Sequence, residues 1–367
     1  MAEPRHLIEP RLLFYAVDGL GLGHVTRLLA IARAIRAQLP GAQMLFVTTT
    51  DADSVIHREG FASVKIPSRT VIQSSRIRAS VYNKLAHSVV MNTVAAFNPA
   101  ILIADTYPAG ATQELLSTLS WEMLRVFVYR AQQAERAADP FFQAALSHYD
   151  LGIVPHDDGS EDIFAPNSLR LVWTGPILIR DRKEAFGRSD ARQRLGLPEF
   201  GKLLYVTVGG GGDDHMALSE QMIVDAGRAA GWTVVAPEAP LLKSRPQGMR
   251  PAQPDFRIAY YPIAECFAAF DAAVSAAGYN TVHELLHFGV PSVLIPRSRG
   301  LDDQFARAQQ AETVGAALTA QLDRQSIESA LIRLAEDDLR ATMTSNASAA
   351  CPTNGAEIAA GEILALL

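Results

Sequence analysis

Short apolar runs alternate with stretches of helical periodicity twice over in this chain, and that rhythm admits little besides a parallel α/β fold. RLLFYAV (11–17) is followed by Val25, Leu28, Leu29, Ala32 and Ile35 at helical spacing, then by AQMLFVT (42–48), AILIADT (100–106) and LGIVP (151–155). Runs that are apolar throughout belong to strands covered on both faces, as in a parallel sheet flanked by helices. The segment 174–198, TGPILIRDRKEAFGRSDARQRLGLP, is richer in charge and punctuated by Gly and Pro, which suits a connection between domains. After it the rhythm restarts with KLLYVTV, a glycine run, WTVVAP, FRIAYY, AAVSAAG and VPSVLIP. The expected fold is two facing doubly wound, Rossmann-like domains. The first spans 1–175 and the second 176–350, with 351–367 as a C-terminal helix returning to the first.

A chain of 367 residues is long for one domain, and 49% hydrophobic with 20% charged residues supplies two ordinary cores. The net charge of -6 argues against a broad nucleic-acid footprint, which needs a basic surface. No apolar run approaches the roughly 20 residues of a membrane span, and MAEPRHLIEP lacks a signal-peptide apolar region. Cys266 and Cys351 have no metal-like spacing and read as thiols in a reducing compartment. A cytoplasmic protein is expected.

In open α/β sheets ligands bind beyond the carboxyl ends of the strands, so the loops there carry the chemistry. The first is VDGLGLGHVTR, with Gly19, Gly21 and Gly23 followed directly by His24. A dinucleotide site needs G-x-G-x-x-G with an acid about 20 residues on, a role that Asp51 or Asp53 imitates. An NAD-dependent dehydrogenase is therefore a distant alternative, and one that leaves the histidine unexplained. At the first turn of a helix the dipole favours a neutral imidazole, a form able to accept a proton; the plain alternative is a half-buried capping histidine.

The second loop, VTVGGGGDDH (206–215), offers free backbone N–H groups to a phosphate around Gly210 and Gly211, or else is a surface turn. Its DDH supplies too few fixed ligands for a metal. The third is SAAGYNTVHELLHFGVPSVLIPRSRGLDDQFARAQ (275–309). Gly278 permits a tight turn, and Asn280 and Thr281 open a helix whose amides would face a diphosphate. Glu284 lies three residues beyond Thr281, so it either closes a capping box or accepts both ribose hydroxyls of a nucleotide. Asp302, Asp303 and Gln304 either bind sugar hydroxyls or cap a helix.

Together, GLGLGHVTR and SAAGYNTVHELLHFGVPSVLIP…DDQ resemble the GT-B glycosyltransferases, especially the family 28 group of the peptidoglycan (lipid II) N-acetylglucosaminyltransferase and the UDP-glycosyltransferases. The resemblance implies a donor held by the C-terminal domain. Gly21, Gly23 and His24 match the N-terminal loop, Gly210 and Gly211 a second phosphate loop, and Gly278 and Thr281 the helix start under the diphosphate. Glu284 matches the ribose-binding glutamate, and Gln304, with Asp303 beside it, the glutamine that reads the donor sugar. Arg180 falls near a linker arginine, and the base is expected near Tyr260 and Tyr261. Ala276 and Ala277 depart from the lipid II enzymes, which tend to carry Arg and Ser there.

The reaction so implied is inverting, metal-independent transfer of a hexosyl or N-acetylhexosaminyl group from a nucleotide sugar, with UDP-sugar as co-substrate and no further cofactor. His24 is the expected general base, and Asp105, ending AILIAD, the acid that orients it. A UDP-sugar hydrolase or 2-epimerase of the same fold is the alternative. The acceptor is a small molecule or glycolipid. Arg69, Arg76, Arg78 and Lys84 in SRTVIQSSRIRASVYNKLAH (68–87) suit either peripheral contact with anionic headgroups or a solvated helix face.

Overall fold

The computed structural model describes residues 9–17, 22–157, 159, 163–208, 215–238, 253–299 and 302–367. They fall into two compact units, Met1–Ile177 with Gly355–Leu367, and Leu178–Asn354.

Among the described residues the first unit has seven strands: β1 (Arg11–Ala16), β2 (Gln43–Thr48), β3 (Ala62–Lys65), β4 (Ile101–Asp105), β5 (Leu124–Val128), β6 (Leu151–Val154) and β7 (Arg170–Trp173). All pair in parallel, in the order β3-β2-β1-β4-β5-β6-β7. Leu12 to Ala16 are buried without a break, which is why β1 reads as a continuous apolar run. Leu13, Tyr15, Leu102 and Phe127 pack with Val90 and Val94 of the Ala79–Phe97 helix on one face. On the other, Phe14 stacks on Phe46 with ring centroids 4.8 Å apart. Each such side chain contributes about 1.5–3 kcal/mol on burial.

The C-terminal helix Ala356–Leu364 belongs to this unit, where it buries Ala356, Ala359, Ala360 and Ile363. Gln38 Nε2 donates to the Glu357 carbonyl at 3.1 Å, and Arg170 pairs with Glu362 at 2.9 Å. Gly355 makes the return feasible. A Cβ there would lie 2.4 Å from the Thr174 carbonyl oxygen and 2.7 Å from that of Gly175, so the backbones approach only because the side chain is absent.

The second unit has β8 (Leu203–Thr207), β9 (Thr233–Pro237), β10 (Phe256–Ile258), β11 (Ala272–Ala276), β12 (Ser292–Ile295) and a short hairpin of β13 (Ser298–Arg299) and β14 (Asp302–Asp303), followed by β15 (Ala317–Thr319). Its parallel sheet runs β10-β9-β8-β11-β12-β15. Asn354 ties down the start of the unit, with Oδ1 accepting from the Leu178 amide at 3.0 Å and Nδ2 donating to the Leu178 carbonyl at 2.9 Å.

In each sheet the strand order reverses once, between β1 and β4 and between β8 and β11. A crevice for a ligand opens at such a switch point. The loops after β1 and β4, and after β8 and β11, therefore position the chemistry. None of the described helices is long and apolar enough to cross a membrane.

Candidate active site

At the first switch point, helix α1 (Gly23–Gln38) begins immediately after the glycine loop. Leu22 is its N-cap, and no side chain caps it. His24 is thus not a capping residue. Its ring turns to the end of β4, with Nδ1 3.2 Å from Thr106 Oγ1 and 3.4 Å from Asp105 Oδ1. The ring keeps 21% of its side-chain surface exposed, so it remains reachable from outside.

The acid proposed to partner it is already engaged. Arg27, one turn along α1, donates Nε to Asp105 Oδ2 at 3.0 Å and Nη2 to Oδ1 and Oδ2 at 2.9 and 2.7 Å. Asp105 is fully buried and Arg27 is 2% exposed. Burial alone would raise the Asp105 carboxyl; Arg27 foremost, with smaller contributions from His24 and Thr106, overrides it and holds the group well below the usual carboxylate range. Arg27 was not picked out from the sequence, although a lone cation amid the buried Val25, Leu28, Leu29 and Ala30 was the available signal.

The loop after β4 carries unusual backbone. Thr106, Gly110 and Gln113 all have positive φ, at 66°, 87° and 65°. Glu114 pins the loop from beneath: it accepts from the Thr112 amide and hydroxyl at 2.6 and 3.0 Å and from the Tyr15 hydroxyl. From the segment after β5, Gln132 Nε2 reaches the Thr106 carbonyl at 3.4 Å while its Oε1 is buried without a hydrogen bond.

At the second switch point the helix after β11 runs from Tyr279 to His287, with Gly278 as N-cap and no side-chain cap bond. The helix starts two residues before Thr281, so the Thr281–Glu284 capping box does not form. Glu284 lies in the second turn and makes no side-chain hydrogen bond among the described residues. Packing around it desolvates the carboxyl and pushes it up to about 7. A Cβ on Gly278, whose φ is -68°, would meet nothing within 4 Å, so neither conformation nor protein crowding calls for glycine there. Asn280 and Thr281 follow in the first turn. Arg307, also overlooked in the sequence, donates to the Ala277 carbonyl at 2.7 Å and stands 5.4 Å over the Tyr279 ring.

The other expected residues have structural partners. Asp303 is the N-cap of the Gln304–Thr313 helix and accepts from the Ala306 amide at 3.0 Å, the capping alternative for that residue. Gln304, 6% exposed, accepts from the Arg297 amide at 3.0 Å and so closes the loop after β12. Arg180 pairs with Glu265 at 2.5 Å, whose other oxygen accepts from the Tyr260 hydroxyl at 2.6 Å, so both Arg180 and Tyr260 direct polar atoms at this glutamate. Tyr261 precedes Pro262 and is half-buried. Asp51 binds Lys65 at 3.0 Å and Ser68 at 2.9 Å, which removes it as the acid of a dinucleotide site, and Asp53 is the N-cap of the Ser54–Arg58 helix without a cap bond. Gly21, Gly210 and Gly211 lie outside the described residues. Among the described residues no group of three His, Cys, Asp or Glu side chains comes together to hold a metal.

Two parallel α/β units with ligand loops at their switch points are the GT-B architecture. The solved MurG of Acinetobacter baumannii shares it, with a TM-score of 0.58 and 17% identity over 97% of this chain and 99% of that one. The chain is a glycosyltransferase of the GT-B class. Within that class, residues 244–359 match the glycosyltransferase family 28 C-terminal domain. The UDP-N-acetylglucosamine–N-acetylmuramyl-(pentapeptide) pyrophosphoryl-undecaprenol N-acetylglucosamine transferase of Salinibacter ruber is 27% identical over 368 residues, 94% of each chain. The enzyme of the same name from Aquifex aeolicus is 39% identical over 71 residues, a match spanning 19% of this chain and 21% of that protein.

Proposed function

We propose that the chain moves a sugar from a UDP-sugar to an acceptor hydroxyl, with inversion and without a metal. The observation that carries this reading is Glu284: a desolvated carboxylate without a side-chain hydrogen bond among the described residues, one turn inside a helix that opens at an uncrowded glycine. Ribose hydroxyls would supply its two missing donors while the diphosphate meets the amides of the Gly278–Thr281 turn.

In the reaction, His24 Nε2 takes the acceptor's hydroxyl proton as that oxygen attacks the anomeric carbon. The bond from the anomeric carbon to the diphosphate oxygen breaks, and the leaving diphosphate keeps the electron pair. The helix-start amides stabilise that growing charge. Gln304 and Asp303 stand at the loop where donor-sugar hydroxyls would be read.

The names of the relatives favour UDP-N-acetylglucosamine as donor and a lipid-linked acceptor. The first unit offers a matching surface. Val71, Ile77, Val81 and Leu85 are exposed beside Arg76, Arg78 and Lys84, and no Asp or Glu occurs from Gly60 to Ala104. Such a face suits peripheral contact with anionic lipid.

Incubation with a panel of nucleotide sugars, scored for nucleoside diphosphate release, tests the reading. UDP-sugars should be turned over, and UDP should outcompete dUDP by about 1–3 kcal/mol through the ribose contact to Glu284. Equal binding of UDP and dUDP, or release only from other nucleotide sugars, would overturn it.

A further inference from the structure

Thr106 is the nearest hydrogen-bonding neighbour of His24 Nδ1 in the contacts around the Asp105 carboxylate, and the sequence motifs assign it no role. Its hydroxyl lies 2.7 Å from Asp105 Oδ1 and 3.2 Å from His24 Nδ1. Asp105 is a carboxylate engaged by Arg27 and can only accept, so the single hydroxyl proton goes to Asp105. A lone pair of Thr106 Oγ1 then faces Nδ1. That contact is a hydrogen bond only if Nδ1 carries the imidazole proton.

Asp105 Oδ1 also accepts, but from 3.4 Å, whereas the guanidinium in the same cluster has the opposite requirement. Arg27 Nη2 lies 3.4 Å from Nδ1, and a guanidinium can only donate. With the threonine hydroxyl absent, the nearest acceptor of Nδ1 is lost and two 3.4 Å contacts around the carboxylate remain: Asp105 Oδ1, already engaged by Arg27, and Arg27 Nη2, which requires Nδ1 to accept; the balance then moves toward the Nε2–H form. An Nε2–H ring cannot act as a base at that nitrogen.

The backbone supports the same assignment. Thr106 is β-branched yet sits at φ 66°, and the Tyr107 amide bonds to the Asp105 carbonyl at 2.8 Å across it, closing a strained three-residue turn. Glycine or asparagine would relax that turn. Strain of this kind persists where the side chain is needed. Thr106 is further fixed by its amide, which donates to the Val128 carbonyl of β5 at 3.2 Å, and by Gln132 beyond that strand, which donates to its carbonyl.

We propose that Thr106 is a positioning residue that sets the tautomer of His24: Nδ1–H donates to Thr106, Thr106 donates to Asp105, and Nε2 is left as the proton-accepting nitrogen. This rests on His24 being the general base, so the first test reads the tautomer and not the activity. In ¹⁵N-histidine-labelled protein, held at a pH where the ring is neutral and assigned by loss of signal in His24→Gln, the two-bond nitrogen–proton correlations report which nitrogen is protonated. Nδ1–H is expected in the wild type, Nε2–H in Thr106→Val, and Nδ1–H again in Thr106→Ser. An Nε2–H wild type, or a tautomer unmoved by Thr106→Val, would overturn the proposal.

A second readout separates it from the base reading. With UDP-N-acetylglucosamine as probe and UDP release as signal, Thr106→Val should lose about 10²-fold in kcat with little change in KM, and Thr106→Ser should stay within a few-fold of wild type. Thr106→Gly, which relieves the turn, should be folded and as slow as the valine variant. An inactive His24→Ala beside a fully active Thr106→Val would sink the Thr106 assignment alone; full activity in both would sink the base itself.

Discussion

Arg27 and Asp105 form a fully buried, two-pronged ion pair at the end of β4, with Nη2 2.9 and 2.7 Å from the two carboxylate oxygens. Removing one member leaves the other charge buried without its counter-ion, a loss of about 3–5 kcal/mol. Arg27→Met and Asp105→Leu should each lower the unfolding free energy from denaturant titration by that amount, and the double variant should recover most of it. Additive losses in the double-mutant cycle would mean that the two residues do not act as a unit.

His24 has a separate signature. His24→Ala should leave UDP affinity nearly unchanged, since the residues proposed to hold the nucleotide lie in the other unit, while transfer falls by roughly 10²–10⁴-fold. Calorimetry with UDP and turnover per folded molecule make the comparison. A stability loss with turnover intact would return His24 to a structural role.

Glu284 ties nucleotide binding to pH. Burial raises its carboxyl to about 7, so the folded protein holds this proton more tightly than the unfolded chain. The resulting stability is complete below the ordinary glutamate range and is lost as pH rises to about 7. Glu284→Gln should therefore gain on wild type across that window, by about 1–3 kcal/mol at its upper end. Ribose hydroxyls favour the ionised form, so UDP should bind wild type more tightly as pH climbs past 7 and Glu284→Gln should flatten that dependence once the titration of the diphosphate is subtracted. Parallel pH profiles of the two proteins would expose the idea as wrong.

Gly278 offers a test of the diphosphate position. An alanine Cβ meets no protein atom and the φ of -68° suits any residue, so Gly278→Ala should change stability by less than about 1 kcal/mol. A diphosphate lying against this turn would be pushed away, and UDP affinity should fall at least tenfold. Unchanged affinity would move the diphosphate elsewhere.

The sequence by itself determined the centre of the two sheets, because β1, β4, β6, β8, β11 and β12 are apolar runs buried almost throughout, whereas edge strands such as β3 and β7 are partly exposed and carry no such run. It also marked Gly278, Glu284 and His24, since glycine before a helix, an acid inside its first turns and a histidine after a glycine loop are local patterns. Only the tertiary structure decided the partners. Asp105 and Arg27 are 78 positions apart, and nothing in either segment records that β4 lies beside β1 and delivers the carboxylate to the second turn of α1. The Thr106 hydroxyl enters the same contact through a positive φ that no residue pattern announces for a β-branched side chain. The capping-box spacing at Thr281 and Glu284 misled for a related reason: where a helix begins is set by how Gly278 leaves β11, and a shift of the N-cap by three residues, from Thr281 to Gly278, carries Glu284 from the first turn into the second. Periodicity is written into each segment locally, whereas an ion pair between a helix and a strand, or the first residue of a helix, is chosen by packing among segments far apart in the chain.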